Sequence, residues 1–158
     1  MILDTQSDTD FNDLIWDKIP RICEVPLVQD AMKKYTSGYL TRNRLKTALL
    51  AGTEPHMQLG KTDADAGGHH VNGTITISTS YFKYYKEGHF NYIDRVPITV
   101  LHEIGHWGYW IGQRDGHPSD ADGRAHNNHD GNLSPLTARL QEIFGILRAL
   151  SIRSGRLL

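Results

Sequence analysis

His102 and His106 lie four residues apart in LHEIGHWGYWIGQRDG (residues 101–116), and Glu103 follows the first of them directly. On a helix turning about 100° per residue, positions i and i+4 are separated by about 40°, so both imidazoles project from one face toward one point. Two nitrogens aimed together in this way are a pair of ligands for one ion, and imidazole with carboxylate suits zinc. Glu103 stands one residue further round, close enough to take a proton from a water on that ion without itself entering the coordination sphere. Zinc lowers the pKa of such a water to about 7, so the spacing is the one that metal-assisted hydrolysis requires. A purely structural helix explains it less well. Gly105 and Gly108 each cost about 1 kcal/mol in a helix interior, which points to a close neighbour or to space kept open.

A catalytic zinc takes three protein ligands and keeps one position for water. The metzincin pattern needs glycine at 109 and histidine at 112, where this chain has Tyr109 and Gly112. Downstream of His106 there is one glutamate, Glu142, in LSPLTARLQEIFGILRALS. Ser134 can cap this segment, Pro135 suits its first helical position, and Leu136, Leu140, Ile143, Phe144, Leu147 and Leu150 form an apolar stripe. Glu142 falls off that stripe, beside Ala138, Gly145 and Ala149, a small-residue face on which another helix can come close. Glu142 is therefore the expected third ligand, in the manner of a gluzincin. Its rivals are His117, Asp120, Asp122 and His126, and an aspartate at that distance would give an aspzincin arrangement instead. The single cysteine, Cys23, excludes a thiolate site and an intrachain disulfide.

The rest of the 158 residues must position these groups. Composition suits one globular domain over residues 1–158, with a helical N-terminal part to residue 52 and a catalytic core over 65–150. TDFNDLIWDKIP reads as a short helix ending before Pro20, VPLVQDAMKKY as a second, and TRNRLKTALLAG as a third that starts at Thr41 and stops at Gly52. Residues 52–68 read as a loop. In HHVNGTITISTSYF, Ile75 and Ile77 alternate with Thr74, Thr76 and Ser78, the pattern of a half-exposed strand. The HEIGH helix is expected over about residues 96–111. The fold class is α+β, helix-rich with a small antiparallel or mixed sheet. With 17 basic and 18 acidic side chains and a net charge of −1, no nucleic-acid or membrane partner is expected. Lys33, Lys34, Arg42, Arg44 and Lys46 are too few to mark the second and third helices as a DNA-reading pair.

GTITIS, the aromatic YFKYY, ITVLHEIGHWGYWIG and a late helix carrying QEIFG occur in an order that resembles the zincin-like metallopeptidase domain of ArdC-type antirestriction proteins. Related zincin domains serve as toxin modules in bacterial polymorphic toxins and type VI secretion effectors. The resemblance covers residues 65–150. It implies His102, His106 and Glu142 as zinc ligands, Glu103 as general base, and peptide-bond hydrolysis as the activity. The N-terminal single-stranded-DNA-binding domain of the antirestriction proteins has no counterpart here, which favours a free-standing protease or toxin.

The expected function is a zinc metallopeptidase acting on a protein or on peptidoglycan peptides, with an immunity protein as partner if it is a toxin. The alternatives are an antirestriction-type protein and a zinc-stabilised binding module. MILDTQSDTD lacks an apolar run long enough for a signal peptide or a membrane span, so the expected location is the cytoplasm where the chain is made, with export by a signal-free system. Residues 112–132 are expected to form a rim or lid, in which His117, His126 or His129 could bind an oxyanion. Gly73–Ser78 is expected to be the edge strand along which a substrate lies. Tyr81, Tyr84, Tyr85, Trp107 and Trp110 are candidates for a side-chain pocket beside it, or for core.

Overall fold

The computed structural model describes residues 1–3, 8–63, 66–116 and 135–154, with side chains to residue 150. Strand β1 (Ile2–Leu3) precedes a nearly continuous helical stretch of α1 (Thr9–Asp13), a π-helical segment (Leu14–Lys18) and α2 (Ile19–Cys23). The first helix does not stop before Pro20, as its sequence suggested. Pro20 sits in the first turn of α2 directly behind the wider π turn, where a missing backbone N–H costs least. Phe11, Leu14, Ile15 and Ile19 are fully buried from this stretch. Helix α3 (Pro26–Tyr35) opens on proline, and α4 (Arg42–Ala48) is capped by Thr41, whose side chain accepts from the Arg44 N–H at 3.4 Å. Between them Ser37 and Gly38 both have positive φ.

A four-stranded mixed sheet has the order β1-β2-β4-β3, with β2 at His56–Gly60, β3 at Gly68–Val71 and β4 at Thr74–Ser78. β2 runs parallel to β1 and β4, while β3 and β4 form an antiparallel hairpin turned by Asn72 and Gly73, both at positive φ. Two expectations are corrected. Residues 52–68 contain a strand, β2. β4 lies in the interior of the sheet, and the edge strand beside it is β3. Pairing on both sides explains why Thr76 and Ser78, on the polar face of β4, are nearly as buried as Ile75 and Ile77.

After β4 come α5 (Thr79–Lys86), α6 (Phe90–Ile93) and the 20-residue α7 (Arg95–Arg114); α8 covers Pro135–Ser154. α5 docks on α1 through an edge-to-face pair, Phe82 on Phe11. α7 is the hub. Its glycines face close neighbours, as their cost implied: a Cβ on Gly105 would stand 2.6 Å from Leu136 Cδ2, one on Gly108 2.5 Å from Leu40 Cγ, and one on Gly112 3.0 Å from Tyr39. On the sheet side, Thr99 abuts Gly67 and Gly68, and Trp110 abuts Gly73. α8 buries Leu136, Leu140, Ile143 and Phe144 as its stripe required, but Leu150 is exposed. Its small-residue face receives no neighbour: among the described residues nothing lies within 4 Å of a Cβ on Gly145.

The two helices therefore respond oppositely to the same substitution. Gly108→Ala gains about 1 kcal/mol of helix propensity, but it drives a methyl into buried Leu40, and overpacking of this kind costs about 1–3 kcal/mol. A net loss of stability is expected. Gly145→Ala meets open space and is expected to gain about 0.5–1 kcal/mol. Thermal denaturation of both variants in chelator checks this, and a stabilised Gly108→Ala would refute the packing account.

Candidate metal centre

Successive turns of α7 divide its circumference. Thr99 and Trp110 mark the side against β3 and the hairpin, Gly105 marks the side against α8, and His102 and His106 fall on the strip between them. Both histidines are half-buried. Their Nε2 atoms are 2.8 Å apart, with the rings 4.4 Å between centroids and nearly perpendicular at 84°. Two nitrogens on one tetrahedral zinc, each at about 2.0–2.1 Å, stand about 3.3 Å apart. The pair thus needs to open by only about 0.5 Å to share an ion, and these residues fit a zinc ion. The Nδ1 of His102 lies 2.9 Å from Thr137 Oγ1, in the first turn of α8.

Glu103 is 5% exposed, and burial raises its pKa from 4.5 to about 8. A carboxyl in so little water holds its proton unless a positive charge stands beside it. One turn further on the same side, the Trp107 side chain is buried and its indole N–H has no hydrogen-bond partner among the described residues. Trp107 belongs to the core and not to a pocket. Tyr81 packs against Tyr92 at 5.2 Å under Arg95, and Tyr85 stacks on Phe82. Tyr84 is exposed beside His89 and Tyr92. Trp110, on α7, lies against the hairpin at Gly73, and Tyr81 lies against Gly67 just before β3. Trp110 meets the His70 ring edge-on at 5.5 Å, and the His70 Nε2 accepts the Gly73 N–H at 3.1 Å. Burial pushes the His70 pKa down to about 4, with His69 adding to the effect.

Of the expected site residues, the structure brings His102 and His106 into contact and buries Glu103, next to His102 in the chain. Glu142 is not with them. Its side chain is 64% exposed and accepts from Arg139 at 2.8 Å. It is also five residues from Thr137, about 140° round α8 from the side that meets His102. His117, Asp120, Asp122, His126, His129 and the cap Ser134 lie outside the described residues. Among the described residues no three metal-binding side chains form a group. Thr137 is the contact that sequence reasoning missed, because a threonine in the first turn of a helix carries no signature of metal chemistry.

The buried Glu103 carboxyl makes the metal-free protein sensitive to pH. The unfolded chain releases this proton near 4.5 and the folded chain holds it to about 8, so the contribution to stability is complete below 4.5 and is lost as pH rises toward 8. His70 acts oppositely, but its effect is finished above about 6.5. The partly buried Met1 ammonium, lowered from 8.0 to about 6 by burial, also acts oppositely and does so between pH 6 and 8, so the carboxyl is isolated by difference: between pH 6.5 and 8, chelator-treated wild type is expected to lose urea resistance relative to Glu103→Gln. Parallel pH profiles for the two proteins would show that the carboxyl is not desolvated.

A family model described as metallopeptidase toxin 3 matches residues 5–133, which include β2, β3, β4 and all of α7 and end before α8. No curated protein and no solved structure matches the chain. A metallopeptidase is a peptide-bond hydrolase that works with a metal ion, and the matched residues contain the two converging histidines with their buried glutamate. The match spans most of the 158 residues, and the chain belongs to the metallopeptidase toxin 3 family.

Proposed function

We propose that this chain is a zinc-dependent peptidase toxin in which His102 and His106 hold the ion and Glu103 is the general base. The observation that carries this reading is the 2.8 Å approach of the two Nε2 atoms on a helix that buries Glu103, the residue next to His102 in the chain. Zinc bound there would supply Lewis acidity and a water of pKa about 7. Glu103 would be the group that takes a proton from the attacking water and passes one to the departing amine, a duty that requires the carboxylate form and so a positive charge beside it. The substrate is an extended peptide. β3 offers an unpaired edge among the described residues and runs beside α7, so main-chain pairing with Gly68–Val71 would lay a peptide along the histidine strip without demanding a sequence. This moves the docking strand from the expected Gly73–Ser78 to its neighbour.

Membership of a toxin family supports an immunity protein as partner and export from the cell that makes it. No helix among the described residues is long and apolar enough to cross a membrane. Glu103→Gln should retain zinc and fold yet lose hydrolysis by about 10²–10⁴, measured on a proteome digest and on purified peptidoglycan, whose outcomes separate protein from stem-peptide substrates. Zinc bound with no cleavage of either by the wild type would favour the zinc-stabilised binding module or the antirestriction-type role instead.

Glu142 is the third ligand that the sequence offers, and in this placement of α8 it faces Arg139. Metal analysis tests it. His102→Ala and His106→Ala should each lose the one zinc per chain. If Glu142 coordinates, Glu142→Ala should weaken binding as well, and full occupancy in that variant would move the third ligand to residues 115–130.

A further inference from the structure

We infer that Thr137 is a positioning residue of the metal centre: its Oγ1 accepts the Nδ1 proton of His102 and so fixes the tautomer whose bare Nε2 faces His106. The inference rests on the reading of His102 and His106 as ligands. A neutral imidazole carries one proton, and the nitrogen that binds a metal must be the one without it. At 2.9 Å, Thr137 Oγ1 lies at ordinary hydrogen-bond distance from Nδ1. With the proton held there, the lone pair of His102 Nε2 is left to accept from His106 Nε2–H, which accounts for the 2.8 Å between them in the metal-free arrangement. The opposite assignment, with the hydroxyl donating to Nδ1, puts the shared proton on His102 Nε2; in either case one Nε2 proton must leave before both rings can hold one ion, and Thr137 places that proton on His106.

Thr137 can fix the ring because it is itself fixed. Leu136, next to it in the chain, is buried with Cδ2 pressed into the space left by Gly105, three residues along α7 from His102. The branched Cβ of threonine allows few rotamers, so a seated backbone places the hydroxyl as well. α8 lies beyond the residues matched by the family model, and this contact gives it a defined duty at the centre: it orients a ligand through the face opposite to the one that carries Glu142.

Thr137→Val keeps the shape and removes the acceptor, whereas Thr137→Ser keeps the hydroxyl. Three measurements on the whole chain decide the matter. Zinc affinity by competition with a chromogenic chelator should fall about 10–100-fold in Thr137→Val, the usual cost of losing such a partner, and stay close to wild type in Thr137→Ser. Thermal denaturation of the metal-free proteins should leave both variants near wild type. Long-range ¹H–¹⁵N correlation spectra of the metal-free wild type should show His102 protonated at Nδ1, with a mixture of tautomers in Thr137→Val. Wild-type zinc affinity in Thr137→Val, or a serine variant as weak as the valine one, would overturn the proposal. A wild type that binds no zinc would overturn the metal reading itself. The His102 tautomer then judges Thr137 alone, and protonation at Nε2 refutes it.

Discussion

The close packing of α7 on three sides is the constraint on which the rest of the structure depends. A 20-residue helix flanked by a sheet edge, the Tyr39–Leu40 turn and α8 has little choice about which strip it leaves accessible. Each glycine on it is a place where a neighbour has come in to the backbone: Leu136 at Gly105, Leu40 at Gly108, Tyr39 at Gly112. Tyr39 is tied down in turn, its hydroxyl donating to Asp115 at 2.9 Å and its ring lying under Arg44. Interiors packed at this density transmit small shifts rather than absorb them, so the strip of α7 from which His102 and His106 project is set by packing on its other sides.

Glu103 adds an electrostatic constraint. Burying a carboxylate costs several kcal/mol unless a positive charge answers it, and the metal-free site answers it by keeping the proton. The half-buried imidazoles of His102 and His106 stand before and after it on α7. A buried glutamate and two converging histidines are thus each incomplete alone.

What the sequence disclosed follows from how local each feature is. Helical periodicity and glycine cost identified α7, its histidine pair and its close neighbours, because all of these depend on residues within a few turns. Thr41 marked a helix start for the same reason. β2 was hidden, since HMQLG has little strand propensity and is recruited by parallel pairing with β4, 18 residues away. Alternation in TITIS showed which side chains share a face but not how many strands lie alongside, so an interior strand read as an edge. The π turn before Pro20 and the pairing of Thr137 with His102 likewise depend on partners that no short window contains.

The same reasoning bears on how α8 can serve the centre. Bringing Glu142 to the histidines by turning the helix requires a rotation of about 140°, and that rotation would carry Leu136, Leu140, Ile143 and Phe144 out of the core. Exposing each costs about 1.5–3 kcal/mol, or about 6–12 kcal/mol together, which rivals the whole stability of a domain this size. No metal–carboxylate bond has to be invoked to keep α8 where it is. The apolar stripe fixes its rotation, and that rotation presents Thr137 to His102. A ligand contributed by Glu142 would thus require a differently seated α8, whereas the orienting role of Thr137 requires only the packing already in place.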